Sequence, residues 1–373
     1  DSAEPLVRGF GVALLERALL DAPCRAAEVP FFTALKKNLF GFDAGGVHPE
    51  LKDWNLAESL PARPLDAVQV RHTVGMEDPL RSSEISDAER LNDGFPQALD
   101  EAVARNGLTC FKIKLSGEVE QDRERLLAVA AVLEEGVRGN LLVTLDANEQ
   151  YKDLGGLVRL CEMLEASPRG RRLLRAVLCF EQPLSRFDTF DGEATAPLRE
   201  KRLPAPVMID EADCDLEAFK KAVACGYQGV SVKNCKGVFR SFLNRGLCAI
   251  YSDKEKKKYF QLAEDLGNLP VLPLHQDLAT LAAHGLTHAE RNGHHYFRGL
   301  DHLPEEEARS VLAAHPDLYR ESPGGKETPD GIALRIEKGT LNMGSIQTPG
   351  YGYGGRIWFE KRTPAAEWEF GKS

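Results

Sequence analysis

The feature that most constrains the fold is a repeated alternation of short apolar runs with longer amphipathic stretches, from about residue 64 to residue 293. The short runs are rich in β-branched and aromatic residues, and the longer stretches repeat apolar residues at spacings of three and four. This alternation is typical of βα units and a parallel sheet. Eight runs are predicted as strands: Ala67–Thr73, Cys110–Leu115, Leu141–Asp146, Ala176–Glu181, Val207–Asp210, Gly229–Lys233, Tyr259–Asp265 and Thr287–Arg291.

Eight strands, each followed by a helical stretch over roughly 230 residues, match the usual size of a closed (β/α)₈ barrel. An open dinucleotide-binding sheet is disfavoured, because no GxGxxG turn follows the first strand. We therefore predict an α/β fold with a TIM-like barrel at residues 63–330. Residues 1–62, which are mainly helical, and residues 331–373, which begin as strand, turn and strand, are predicted to form a partial α+β capping unit together.

Composition excludes some partners. The formal charge of −10 argues against nucleic acid, because phosphate binding needs clustered Lys and Arg. No apolar run reaches the roughly 18 residues that a membrane helix needs. The eight cysteines are scattered singly, which favours reduced thiols and a cytoplasmic location.

Acidic residues end three successive predicted strands: Asp146 ends LLVTLD, Glu181 ends AVLCFE and Asp210 ends PVMID. In a barrel, these strand ends converge on one mouth, where side chains serve binding and catalysis. Three carboxylates repel each other unless a cation lies among them. Because all the donors are oxygens, Mg²⁺ or Mn²⁺ is the expected ion, and helix capping is the structural alternative for each acid.

Two lysine positions complete the pattern. Lys112 and Lys114 end the second predicted strand, and Lys233 ends the sixth. Strands two and six lie on opposite sides of a ring of eight, so Lys114 and Lys233 can face opposite sides of one substrate carbon. Desolvation and a nearby cation lower the pKa of a lysine, which suits a general base.

The motifs FKIKL, LDAN, FEQP, MIDEA and VKN, in this order, resemble the enolase superfamily and specifically its muconate-lactonizing subgroup, related to mandelate racemase. The helix at residues 13–22 resembles the family helix before the barrel, and TPGYGYGG at residues 348–355 resembles its C-terminal return. Family members carry N-terminal strands with specificity loops, and we expect these strands to be missing from the capping unit here.

The resemblance implies a role for each matching residue. It implies magnesium ligands at Asp146, Glu181 and Asp210, an acid/base pair at Lys114 and Lys233, and substrate-side or supporting groups at Lys112, Asn148 and Gln182. Three further residues are candidates from their positions: Glu264 and Asp265 at the end of the seventh predicted strand, and His275 before the next helix. Capping of a helix is the alternative for these three.

The resemblance implies a metal-dependent isomerase or lyase that removes a proton next to the carboxylate of a small substrate. The resulting enediolate leads to racemisation or epimerisation, to elimination, or to cycloisomerisation, and the sequence leaves these outcomes open. One alternative is a barrel hydrolase or aldolase that uses the metal. The other is a non-catalytic relative that acts as a binding protein. The family analogy also suggests a homo-oligomer.

Overall fold

Eight parallel strands close into a barrel in the computed structural model, which describes residues 5–264, 270–295, 297–324, 330–356 and 358–364 together with residues 367 and 369. The barrel strands are β1 Ala67–Val74, β2 Cys110–Lys114, β3 Leu142–Asp146, β4 Val177–Glu181, β5 Val207–Ile209, β6 Gly229–Val232, β7 Phe260–Ala263 and β8 His288–Arg291. They pair in sequence order, and β1 also pairs with β8, which closes the ring. The predicted barrel is confirmed.

Four further strands follow the barrel: β9 Tyr319–Ser322, β10 Gly331–Leu334, β11 Ile336–Glu337 and β12 Thr340–Asn342. The helices are α1 Pro5–Ala26, α2 Phe31–Lys36, α3 Ala44–Val47, α4 Leu56–Ser59, α5 Leu99–Asn106, α6 Val119–Gly136, α7 Leu154–Glu165, α8 Pro168–Ala176, α9 Ala196–Arg199, α10 Ala218–Cys225, α11 Val238–Glu255, α12 Leu272–His284 and α13 Glu305–Ala314. No described helix is long and apolar enough to cross a membrane. All eight cysteines are free thiols.

Short polar residues set the starts of the barrel helices. Asp153 precedes α7, and its side chain accepts a hydrogen bond from the Gly156 N–H at 3.0 Å. Ser167 precedes α8 and accepts in the same way from Gly170 at 3.0 Å. These contacts satisfy N–H groups that the first helical turn leaves without partners.

The barrel interior changes from apolar to charged along the strands. Side chains alternate between the interior and the surrounding helices, so residues two apart on a strand share the interior. Deep in the barrel, Cys179, Met208 and Leu262 form a small buried cluster separate from the main core. Each stands two residues before an acid in the chain: Glu181, Asp210 or Glu264. The pattern therefore places a charged layer above an apolar floor.

The two ends of the chain meet beside the barrel. The Phe31 N–H donates to the Gly350 carbonyl at 3.1 Å, and the Gly350 N–H donates to the Val29 carbonyl at 3.1 Å. The rings of Phe31 and Tyr351 have centroids 4.2 Å apart. Strand β12 pairs with β1, so the C-terminal segment also extends the barrel sheet. The division into a capping unit and a barrel stays a prediction.

Glu16 fastens α1 to the barrel. Its carboxylate accepts from the Val238 N–H at 2.6 Å and the Phe239 N–H at 2.9 Å, at the start of α11. Replacing Glu16 with Ala should lower the free energy of unfolding by about 1 kcal/mol, the usual effect of losing a helix cap. Urea unfolding followed by circular dichroism measures it, with Glu124→Ala on an exposed position of α6 as control. Equal midpoints for Glu16→Ala and wild type would show that this contact contributes nothing.

Candidate active site

The three acids predicted as metal ligands lie together at the barrel mouth. Asp146 and Glu181 are register partners at the ends of β3 and β4, and Asp210 directly follows β5. Their exposed fractions are 0%, 0% and 1%. The end-of-strand pattern in the sequence therefore does correspond to a shared site in space.

Lys112 contacts two of these acids and two further buried acids. Its Nζ is 2.9 Å from Asp146 Oδ2, 2.8 Å from Glu181 Oε1, 2.8 Å from Glu264 Oε2 and 3.1 Å from Glu290 Oε2. Burial lowers the pKa of Lys112, but attraction to these four acids outweighs it and holds the pKa well above its usual value. Lys112 is therefore a buried ammonium, 1% exposed, beneath the mouth rather than at its surface.

The predicted acid/base pair lies closer to solvent. Lys114 Nζ donates to Asp146 Oδ2 at 2.6 Å and to Asn148 Oδ1 at 2.7 Å. Lys233 Nζ donates to Asp210 Oδ2 at 2.5 Å. The side chains of Lys114 and Lys233 are 23% and 13% exposed, whereas the acids that they contact are buried. Both ammonium groups can thus meet a molecule at the mouth.

The charges around Lys114 favour its protonated form. Burial and repulsion by Lys112 lower the pKa of Lys114, but attraction to Asp146 and Glu290 outweighs them and the net shift is upward. This differs from the predicted fall in pKa, because the sequence did not reveal how closely the acids surround the lysine. Lys114 as packed is a proton donor.

Three further residues join the charged site. Arg71, on β1, forms a buried ion pair with Glu264 and donates to the Ala263 carbonyl at 3.0 Å. Glu290, on β8, accepts from the Thr73 hydroxyl at 2.8 Å. Lys236 contacts Asp210 Oδ1 at 3.1 Å. Arg71 and Glu290 could have been identified from the alternation of side chains along β1 and β8, because both occupy positions that face the barrel interior.

Asn148 and Gln182 support the acids. Asn148 accepts from Lys114 and donates to Glu211 Oε1 at 3.1 Å. The buried Gln182 side chain accepts from the backbone N–H groups of Asp210 at 2.8 Å and Ala212 at 3.1 Å, which fixes the end of β5. Gln182 thus positions Asp210 and does not face the mouth.

The three remaining candidates have different outcomes. Glu264 joins the charged layer through Arg71 and Lys112. Asp265 lies outside the described residues. His275 is fully buried in α12, where its ring nitrogens form hydrogen bonds with the Gly352 carbonyl at 3.0 Å and the Tyr319 hydroxyl at 2.9 Å.

The turn at Gly352 requires glycine. Its φ is +87°, and a Cβ there would lie 2.5 Å from the His275 backbone oxygen.

The donor chemistry of the mouth fits a hard divalent cation. Every acid supplies oxygen, and Glu181 and Glu211 each keep one buried carboxylate oxygen, Oε2, without a hydrogen-bond partner. Burial and repulsion by neighbouring acids raise the pKa of Glu181, and likewise raise that of Glu211 to about 7, which marks an excess of negative charge. The acids as packed contact lysines, and across the described ranges no three His, Cys, Asp or Glu side chains are arranged to hold a metal. Cation binding therefore requires these ion pairs to rearrange.

A known family model matches the part of the chain that carries the three strand-end acids. Residues 94–242, which include β2 to β6 and all three strand-end acids, match the family model described as enolase C-terminal domain-like. The matched segment is therefore similar to the enolase superfamily. The resemblance predicted from FKIKL, LDAN, FEQP, MIDEA and VKN is confirmed, with proteins of the mandelate racemase and muconate lactonizing type among the structural neighbours. No curated protein matches the chain.

Solved structures share the fold of this chain at low identity. A dipeptide epimerase from Enterococcus faecalis V583 is 16% identical, with a TM-score of 0.54, over 90% of this chain and 72% of that one. A mandelate racemase/muconate lactonizing protein from Paracoccus denitrificans Pd1222 is 16% identical, with a TM-score of 0.53, over 93% and 73%. A dipeptide epimerase from Methylococcus capsulatus, complexed with Mg and the dipeptide L-Arg-D-Lys, is 19% identical, with a TM-score of 0.52, over 91% and 70%. At these identities the likeness establishes the fold.

Proposed function

We propose that this protein transfers a proton at the carbon next to the carboxylate of a small substrate, with racemisation or epimerisation as the favoured outcome. One observation carries the proposal. Lys114 and Lys233 come from strands on opposite sides of the barrel, and both reach the mouth while the acids and Lys112 beneath them are buried. Two amines that face each other across one opening suit the removal of a proton from one face of a carbon and its return to the other.

The proton steps balance on these two side chains. One lysine, as a free amine, takes the proton from the carbon, and the electron pair of the C–H bond moves into the carboxylate as an enediolate. The other lysine, as an ammonium, delivers a proton to the opposite face of that carbon. Asn148 holds Lys114 and Asp210 holds Lys233 by hydrogen bonds, so both amines are positioned before substrate arrives. Lys112 contributes positive charge from below.

The proposal includes Mg²⁺ as the cofactor, with Mn²⁺ as its substitute. Asp146, Glu181 and Asp210 would hold the ion, supported by the unpartnered Glu181 Oε2. A bound divalent cation supplies charge that stabilises the enediolate oxygens. Two structural neighbours of the barrel were solved with Mg and a dipeptide, which makes small carboxylate-bearing molecules the first substrates to examine.

The test is α-hydrogen exchange in D₂O across a library of carboxylic acids that includes amino acids and dipeptides. We expect mass-detected deuterium incorporation into at least one compound with Mg²⁺ present, and its loss with a chelator. Asp146→Asn, which removes one negative charge beside Lys114, should lose exchange and Mg²⁺ binding together. Exchange that is indifferent to chelator would remove the metal from the proposal, and absence of exchange from every compound would end it.

A second candidate function is a metal-free binding protein for small carboxylates. It is favoured by the lysine contacts of the strand-end acids, which neutralise Asp146 and Asp210 without an ion. Calorimetric titration separates the two candidates. Heat from Mg²⁺ that disappears in Asp146→Asn supports the enzyme, whereas carboxylate binding with no Mg²⁺ heat and no exchange supports the binding protein.

A further inference from the structure

A cavity lies outside the barrel wall. On β1, Val70 and His72 alternate with the inward-facing Arg71, and on β8 Arg291 alternates with the inward-facing Glu290, so these outward side chains face away from the mouth. The end of α5 and the hairpin of β9 and β10 close the other sides around a volume of about 250 Å³. This cavity therefore shares no side chain with the site that we assign to proton transfer.

Four arginines line the cavity: Arg105, Arg291, Arg298 and Arg320. Arg298 is paired with Asp301, and Arg105 donates to the Gly94 carbonyl. Arg291 and Arg320 have hydrogen-bond donors without partners. The Arg291 Nη1 atom is buried with no hydrogen-bond partner. Among the described residues, the Arg320 guanidinium has no hydrogen bond or ion pair, and Asp93 is the one acid in the lining.

Burial and crowding make these positive charges costly. Burial lowers the pKa of Arg291 to about 10. Burial, followed by repulsion from Arg320, lowers the pKa of Arg105. The guanidinium groups of Arg105 and Arg320 lie near each other, and part of Arg291 is buried. An anion that binds among these three groups would therefore stabilise the fold.

Flat apolar surfaces line the same space. The Phe95 ring lies 5.1 Å from the Arg105 guanidinium carbon and 5.7 Å from that of Arg298. The rings of His72 and His294 are stacked with centroids 4.1 Å apart. Guanidinium groups bind carboxylate and phosphate oxygens in pairs, and aromatic rings stack on flat partners. The lining is thus suited to a molecule with both features.

We infer that this cavity binds a small organic anion, with a carboxylate or phosphate group held by the arginines and a flat apolar body against Phe95. The guanidinium of Arg320 and the buried Nη1 of Arg291 supply the unused donors. The volume accommodates a single aromatic ring with its charged group, and it is small for a nucleotide. The site lies apart from the barrel mouth, so its occupation is independent of the proposed proton transfer.

Isothermal titration calorimetry on the full chain tests the inference with benzoate and phenyl phosphate, each compared with neutral benzyl alcohol. We expect at least one anion to bind and the alcohol not to bind. Arg320→Gln and Arg105→Gln should each weaken binding about tenfold, the effect of losing one charged hydrogen bond. These two side chains are solvent-accessible, so both variants should fold. Arg159→Gln, on the exposed surface of α7, is the matched control and should bind as wild type does.

The location is tested separately. Lys114→Met removes an accessible cation from the barrel mouth and should leave anion binding unchanged. Loss of binding in Lys114→Met with retention in Arg320→Gln would move the anion to the mouth and overturn the inference. Equal affinity for the alcohol and the anions, or no heat from either anion, would overturn it as well. The two anions together show whether carboxylate or phosphate is preferred.

Discussion

Replacing Lys114 or Lys233 with Met should abolish interconversion of substrate stereoisomers, because in the proposed function each lysine faces only one side of the reacting carbon. The variants should differ in what they retain. Lys114→Met should still exchange the α-hydrogen of one stereoisomer, and Lys233→Met that of the other. For the stereoisomer that has lost its base, the exchange rate should fall by about 10²- to 10⁴-fold, the usual contribution of a positioned acid or base. Methionine keeps the apolar length of the side chain and removes only its charge and proton.

The measurement is deuterium incorporation into each pure stereoisomer, followed by proton NMR and chiral chromatography. Lys221→Met, at a half-exposed position of α10, controls for a general effect of losing a lysine. Circular dichroism confirms that each variant is folded. Wild-type exchange of both stereoisomers in either variant would contradict the assignment. Exchange that survives in Lys233→Met but fails in Asp146→Asn would instead favour a metal-dependent hydrolase or aldolase.

The barrel itself was predictable because its signal is local. Each strand run is short, apolar and bounded by helical periodicity, so every predicted strand overlaps its observed counterpart, with ends that differ by at most two residues. The acids Asp146, Glu181 and Asp210 were found for the same reason, since the end of a strand is visible in the sequence. Their closeness then follows from closure of the ring.

The ionic connections of the site were not predictable in this way. Which lysine contacts which acid depends on strand register, side-chain length and depth in the barrel, and these are properties of the closed ring. Lys112 and Lys114 look alike in FKIKL, yet the deeper one is 1% exposed and the other side chain 23% exposed. The outer cavity was hidden more completely, because it joins β1 and β8 to the hairpin of β9 and β10, far along the chain.

Replacing Lys112 with Met should lower the free energy of unfolding more than any other substitution proposed for this protein. Its ammonium lies within about 3 Å of Asp146, Glu181, Glu264 and Glu290, all buried, so Lys112→Met leaves several buried acids without this cation. Removing one partner of a buried ion pair typically costs about 3–5 kcal/mol, because the remaining charge is neither solvated nor paired. We therefore expect the free energy of unfolding at pH 7.5 to fall by that amount, measured by urea denaturation.

The direction of the pH dependence distinguishes lost charge from lost packing. In the wild type, attraction to nearby cations outweighs burial and lowers the pKa of both Asp146 and Glu290. These two acids therefore stabilise the fold at any pH above their unfolded pKa values. That stability is lost as the pH falls through their lowered pKa values in the folded state. Without Lys112 the acids are easier to protonate, and the variant regains stability as pH falls toward 5. The difference between Lys112→Met and wild type should therefore shrink from pH 7.5 to pH 5, while the exposed control Lys152→Met shows no difference at either pH. A difference that stays constant with pH would assign the loss to packing, and would mean that Lys112 does not hold the acids together by its charge.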